Sequence, residues 1–162
     1  MIRKATASDS DIIADIYNYY IEHSIATFEQ EAVAPAEMAD RIQKVFDAGL
    51  PWLVAESNGS ITGYAYASPW KSRAAYRFSV ESTVYLCHTH SGQGLGSKLY
   101  EALFNELKPL DVRTVIGGIA LPNPSSIALH EKFGMKQVAH FKAVGFKFNQ
   151  WIDVGYWQVV LP

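Results

Sequence analysis

The stretch HSGQGLGSKLY, His90 to Tyr100, holds three glycines in five residues: Gly92, Gly94 and Gly96 alternate with Gln93 and Leu95. An apolar, largely β-branched and aromatic run, FSVESTVYLC (Phe78–Cys87), precedes it, and a helix-forming run follows through about Leu107. Strand, glycine loop and helix is the reading around which the rest of the fold is arranged. Glycine lets backbone approach a ligand without a Cβ in the way. The first N–H groups of a helix lack intrahelical partners and lie at the positive end of its dipole. Together these favour a phosphate or pyrophosphate. The spacing is not that of the nucleotide P-loop, which needs Gly-Lys followed by Ser or Thr. Nor is it the dinucleotide fingerprint, which belongs to a first βα unit. From its residues alone, a merely structural helix start explains the loop equally well.

Working outward, MIRKAT (Met1–Thr6) reads as a short first strand. SDSDIIADIYNYYIEHS (Ser8–Ser24) has a Ser/Asp start and Ile12, Ile13, Ile16, Tyr19 and Tyr20 at helical spacing. The segment IATFEQEAVAP (Ile25–Pro35) is a loop leading to a second helix over Ala36–Ala48. WLVAES (Trp52–Ser57) and ITGYAYASPW (Ile61–Trp70) are joined by Asn58-Gly59, a strong hairpin signal. RTVIGGIA (Arg113–Ala120) reads as a buried strand, and NPSSIALHEKFG (Asn123–Gly134) as a short helix with an Asn cap and a Gly stop. KQVAHFKAVGFKF (Lys136–Phe148) and WIDVGYWQVVL (Trp151–Leu161) close the chain as strands. The expected fold class is mixed α/β (α+β), with a sheet that cannot be all parallel because it contains a hairpin.

Composition narrows the function. A chain of 162 residues fits a single domain, residues 1–162, with a proper core. A formal charge of −2 leaves no basic excess for a general nucleic-acid binder. The lone Cys87 excludes an intrachain disulfide and fits a reducing cytoplasm. No run is long and apolar enough for a signal peptide or a bilayer span, so neither membrane nor nucleic acid is an expected partner.

Strand, Gly-x-Gly-x-Gly, amphipathic helix, strand and Asn-initiated helix resembles the GNAT superfamily of N-acetyltransferases. LPWLVAE (Leu50–Glu56), SPWKSRAAY (Ser68–Tyr76), VESTVYL (Val80–Leu86), GLGSKLY (Gly94–Tyr100), NPSSIALHEKFG and AVGFKFNQWIDVGYWQ (Ala143–Gln158) are similar to its phosphinothricin N-acetyltransferase branch. That branch also includes enzymes acting on methionine sulfoximine and methionine sulfone. The resemblance covers nearly the whole chain. It implies a mostly antiparallel central sheet flanked by helices, acetyl-CoA as co-substrate with no metal, a small amino-acid-like acceptor and a homodimer. It places the pyrophosphate on Ser91, Gly92, Gln93, Gly94, Leu95, Gly96, Ser97 and Lys98. Ser91 stands where the family usually has Gln or Arg, which removes one side-chain contact and leaves the backbone contacts. The resemblance further assigns Val84, Tyr85 and Leu86 to main-chain contacts with pantetheine and the thioester oxygen. Asn123 contacts the pantetheine arm, caps its helix, or does both, and Ser126 is assigned to the cofactor with it.

Acetyl transfer to an amine requires a base, stabilisation of a developing oxyanion, and a proton for the leaving thiolate. Glu81 is the candidate base. A charge within the run FSVESTVYL is costly unless it faces a cavity or a partner. Read by itself, Glu81 is better explained as an outward-facing strand residue paired with Arg77 or Arg73; the resemblance makes it the general base. His130 occupies the position where many superfamily members carry the tyrosine thought to protonate the thiolate. Its residue-level alternative is local capping or packing, and its roles as acid, base or hydrogen-bonding group stay open. For the acceptor, Lys71, Arg73, Tyr76 and Arg77 suit an anionic head group, with a basic surface loop explaining Lys71 equally well. Phe28 and Glu29 line the acceptor pocket by resemblance, though Phe28 serves equally as core. A polyamine, aminoglycoside or protein N-terminus as acceptor, or a CoA-binding sensor without turnover, are the rival functions. Cys87 lacks a fixed base for covalent catalysis, and His88 and His90 lack a third metal ligand.

Overall fold

A computed structural model describes residues 1–162. The elements are β1 (Ile2–Lys4), α1 (Ser10–His23), α2 (Pro35–Asp47), β2 (Trp52–Ser57), β3 (Ser60–Pro69), β4 (Ser79–Leu86), α3 (Leu95–Leu107), β5 (Thr114–Leu121), α4 (Pro124–Lys132), β6 (Lys136–Lys147) and β7 (Gln150–Val160). They form one seven-stranded sheet in the order β1-β2-β3-β4-β5-β7-β6. Every neighbouring pair is antiparallel except β4 and β5. The expected mixed sheet is therefore present.

Two layers of side chains sandwich the sheet. On one face α1 and α2 bury Ile13, Ile16, Met38 and Ile42 against Trp52, Val54 and Tyr64. On the other, α3 buries Leu99, Leu103 and Leu107 against Ala65, Ala67, Val115, Ile119 and Trp157. Ala65 and Ala67 offer only methyl groups, which lets α3 lie close to the sheet. Each fully buried Leu contributes about 1.5–3 kcal/mol.

The sequence expectations shift in three places. The first helix begins at Ser10, behind a short 3-10 turn at Ala7–Asp9. Asp9 accepts the Thr6 amide at 2.7 Å and two Arg3 nitrogens at 2.8 and 3.0 Å, which holds that turn ahead of the helix. Ile12, expected on the apolar stripe, is 41% exposed, and the buried stripe runs through Ile13, Ala14, Ile16, Tyr17 and Ile21 instead. The last hairpin turns at Phe148 and Asn149, both with positive φ, between the paired Lys147 and Gln150. By contrast Asn58 and Gly59 form the expected two-residue turn, at φ 51° and 77°.

The edge strand β6 is irregular. Its register shifts between Gln137 and Ala139 and again between Phe141 and Gly145. Asp153 of β7 supports the second bulge by accepting the Ala143 amide at 2.8 Å, while its other oxygen lies 2.8 Å from His140 Nε2. Val138, Phe141, Val144, Phe146 and, on β7, Trp151 are all about half exposed or more.

Candidate active site

The defining feature is a parting in the sheet. β4 and β5 pair only at Ser79↔Thr114, Val80↔Val115 and Glu81↔Ile116, whereas β4 stays paired with β3 through Leu86. Beyond Glu81 the edge of β4 toward β5 is open. Backbone groups alternate in direction along a strand. The Cys87 amide bonds Thr62 O of β3 at 2.8 Å, so the odd-numbered residues of β4 turn their backbone to β3. Val84 and Leu86 therefore present theirs to the opening. Tyr85, expected beside them, does not: its amide faces β3, and its side chain reaches the other way to donate to Ala26 O at 3.1 Å. The Leu86 carbonyl accepts from the Tyr20 hydroxyl.

At the mouth of the opening lies the glycine loop. Gly92 and Gly94 have φ of 78° and 74°, and nothing stands within 4 Å of the Cβ either would carry. Gly94 is the N-cap of α3 and supplies no side-chain bond to the first turn. The starting amides of α3 are thus left without a cap from the chain. The Asn-initiated helix contrasts: Asn123 Oδ1 accepts Ser126 N at 3.2 Å, so Asn123 caps α4. Gly96 packs against Leu129 of α4, with 3.4 Å left for a Cβ. Ser91 Oγ donates to His88 O at 3.3 Å. Gln93, Leu95 and Lys98 border a recess with Met1 and Glu56. A cation unmarked by the sequence reading is also here, since Lys132 Nζ donates to Ser97 Oγ at 3.2 Å.

Side chains of a strand alternate between faces. Glu81 thereby shares the α1–α2 face with Tyr85 and Tyr66, and Ser82 shares the α3–α4 face with Val80 and Val84. Glu81 is half-buried and makes no ion pair. Burial pushes its carboxyl above the ordinary range, and the charge of Lys71 opposes that shift. The arginines do not reach it. Arg77 lies over the Phe78 ring at 4.3 Å and donates to Ala74 O at 3.1 Å, and Arg73 and Tyr76 are exposed around a 3-10 turn. Lys71 is the loop cation that bears on Glu81. Its ammonium lies 5.2 Å from the Trp70 ring centre, and Trp70 meets Tyr156 edge-on at 5.5 Å. Trp70 and Tyr156 thus belong to this face.

His130 lies on the other face, 3% exposed, in a buried chain of polar groups. Its Nδ1 is 2.7 Å from Ser126 O, and its Nε2 is 3.0 Å from the Tyr100 hydroxyl, which is 3.2 Å from Ser82 Oγ. Burial lowers its pKa, with the Ser126 contact opposing. A carbonyl only accepts, so the neutral ring carries its proton on Nδ1, and its Nε2 faces the Tyr100 hydroxyl. Both ring nitrogens are accordingly occupied within the protein. Tyr100, fully buried and with its hydroxyl pKa pushed well up by that burial, had no signal in the sequence beyond a place on the apolar side of α3.

The loop after α1 packs onto the Glu81 face. Phe28 is 39% exposed and lies over Gly145, where any Cβ would collide with its ring. Glu29, expected to meet substrate, is already engaged: Arg41 of α2 grips both its oxygens at 2.8 and 2.7 Å, and Tyr17 donates to it. Arg41 accordingly holds the Glu29 carboxyl below its ordinary range, burial opposing.

The chain as a whole matches known proteins. Residues 2–155 match the family model described as acetyltransferase (GNAT) domain. The chain is 45% identical to a phosphinothricin N-acetyltransferase of Streptomyces viridochromogenes, covering 97% of this chain and 85% of that one. It is 34% identical to an L-methionine sulfoximine/L-methionine sulfone acetyltransferase of Salmonella typhimurium, over 99% of this chain and 94% of the relative. A phosphinothricin acetyltransferase from Sinorhizobium meliloti, solved in complex with acetyl-CoA, superposes with a TM-score of 0.96 at 38% identity, covering 99% of this chain and 88% of the other. The chain belongs to the GNAT family of N-acetyltransferases, on its phosphinothricin and methionine sulfoximine branch.

Proposed function

We propose that this acetyltransferase uses acetyl-CoA to acetylate the α-amine of a small amino-acid analogue, of the phosphinothricin or methionine sulfoximine/sulfone type, by direct transfer with Glu81 as general base. The observation that carries the reading is Glu81 itself, unpaired and half-buried at the last residue before β4 and β5 part. A carboxylate without a permanent cation, its pKa raised by burial, is a better proton acceptor than one in an ion pair.

The residues present fit acetyl-CoA. Free amides of Leu95, Gly96 and Ser97, with the adaptable backbone of Gly92 and Gly94, suit its pyrophosphate, and Val84 and Leu86 offer main-chain groups to the pantetheine arm. When bound, it supplies an activated acetyl group and a thiolate as leaving group. Glu81 takes the amine proton, directly or through water, on the α1–α2 face. On the other face, His130 fixes the Tyr100 hydroxyl and with it Ser82, a chain of exchangeable protons leading to the opening. His130 thus serves the thiol side through Tyr100. Lys71 brings positive charge to bear on Glu81, and the exposed Arg73 and Tyr76 follow it on the same loop, which favours an acceptor bearing a carboxylate and a second polar head over a polyamine. Exposed apolar side chains along β6 and β7 support a homodimer through that face, and the lone thiol supports a cytoplasmic setting.

The test is thiol release from acetyl-CoA over a panel of phosphinothricin, methionine sulfoximine, methionine sulfone, spermidine and an aminoglycoside. Turnover of the first three is expected. Turnover confined to the cationic amines, or binding of acetyl-CoA with no turnover at all, overturns the reading.

A further inference from the structure

Lys147 is unusual among the charged side chains. It is 4% exposed and has no carboxylate partner. Its ammonium donates instead to three carbonyls: Ser24 O at 2.6 Å, Thr27 O at 2.8 Å and Tyr20 O at 3.3 Å. Three N–H groups meet three acceptors, so the buried charge is fully solvated by backbone. Tyr20 lies in the last turn of α1 and Ser24 is its C-cap, where the helix dipole presents partial negative charge. Thr27 lies further on, beside Phe28. One cation on β6 therefore ties the end of α1 to the loop that follows it.

The opposite end of the same loop is held by a second cation. Arg41 of α2 grips Glu29 with two bonds, and Tyr17 links Glu29 to Thr27, its hydroxyl 2.7 Å from Thr27 Oγ1. Between the two anchors Phe28 lies against Gly145, two residues before Lys147 on β6. Neither cation is explained by the chemistry assigned above. A loop whose one carboxylate and whose Ser24, Ala26 and Thr27 carbonyls are engaged inward contributes shape, with the partly exposed Phe28 ring as its free surface.

We propose that Lys147 and Arg41 are positioning residues that clamp residues 24–30 into a preformed wall of the acceptor site, and that acceptor affinity depends on this clamp without either cation touching the acceptor. The inference rests on the acceptor lying on the Glu81 face, as proposed above. The loop joins that face through Tyr85, whose hydroxyl bonds Ala26 O at 3.1 Å. Acetyl-CoA is assigned above to α3 and the sheet opening, which neither cation contacts directly.

The experiment compares wild type with Lys147→Met, which keeps the stem and removes the three donors, and with Arg41→Gln, which releases Glu29. Steady-state kinetics with methionine sulfone and acetyl-CoA are combined with amide hydrogen exchange of the protein without substrates. Either variant is expected to raise the KM for methionine sulfone about tenfold or more, since small misplacements of positioning groups are costly. The KM for acetyl-CoA should stay within about twofold, and exchange should quicken at residues 24–30 but not at 92–98. Unchanged acceptor KM and unchanged exchange at 24–30 in both variants overturn the proposal. So does equal loss toward both substrates with exchange rising throughout, the mark of general destabilisation. Should Lys147→Met not fold, Arg41→Gln decides by the same criteria. If wild type acetylates no amino-acid analogue, the proposed acceptor class falls, while the exchange data still judge whether the two cations hold the loop.

Discussion

A Cβ on Gly117 would stand 2.6 Å from both Cδ2 and Nε2 of His130. The imidazole reaches Tyr100 only because β5 has no side chain at that point. Gly117→Ala is expected to push the ring aside, break the 3.0 Å contact with Tyr100 and lower kcat about tenfold to a hundredfold. Overpacking of this kind also costs about 1–3 kcal/mol of stability. Rapid-quench kinetics and urea melts measure both, and unaltered kcat in a destabilised variant would remove His130 from the reaction.

Glu81→Gln is expected to lower kcat about 10²–10⁴-fold, the range for losing a general base. Its pH profile follows from burial. The wild-type rate should climb as Glu81 loses its proton, with a midpoint above the ordinary glutamate value because its folded pKa is raised. The same shift has a stability sign. A carboxyl with a raised folded pKa favours folding below its unfolded value and loses that contribution as pH rises through the folded one. At neutral pH the ionised Glu81 therefore opposes folding, and Glu81→Gln should melt higher than wild type while turning over more slowly. A variant that melts lower, or an unaltered pH profile, contradicts the assignment.

Gly94→Ala tests the loop. At φ 74° an added methyl meets no neighbour, so the strain is confined to backbone and amounts to about 1–2 kcal/mol. Calorimetry should find acetyl-CoA binding weakened about tenfold or more as the loop relaxes, with the acceptor KM at saturating acetyl-CoA little altered. Equal affinity in the variant would mean that the start of α3 does not grip the pyrophosphate.

Trp151→Glu addresses assembly. Trp151 is 69% exposed and packs on Phe146 of the neighbouring strand at 4.8 Å between ring centres. Light scattering should give twice the chain mass for wild type and the single mass for the variant, with chain melting temperature lower in the variant. A monomeric wild type refutes a dimer built on β6 and β7.

Local patterns carried much of this architecture. Asn58-Gly59 announced its turn, Asn123 its cap, and the glycine run its helix start, because each depends on a few adjacent residues. What escaped was set by partners distant in sequence. Lys71 reads equally as surface or as substrate contact in the sequence, and only the fold brings its charge to bear on Glu81. Glu29 read as a substrate contact, yet Arg41, twelve residues away, occupies both its oxygens. Tyr85 stood in the right strand with the wrong parity, a distinction that pairing with β3 decides. Phe148 entered a left-handed turn that its β-rich neighbours argued against. His130 was visible as a residue, but its burial beneath Gly117 depends on two elements meeting.

The early end of the β4–β5 ladder bears on the lifetime of the protein as well as its chemistry. Main-chain groups that would otherwise knit the two halves of the sheet are left wanting in the empty enzyme, so any occupant of the slot adds its binding energy to the fold by mass action. Thermal endurance should accordingly rise with the concentration of acyl donor.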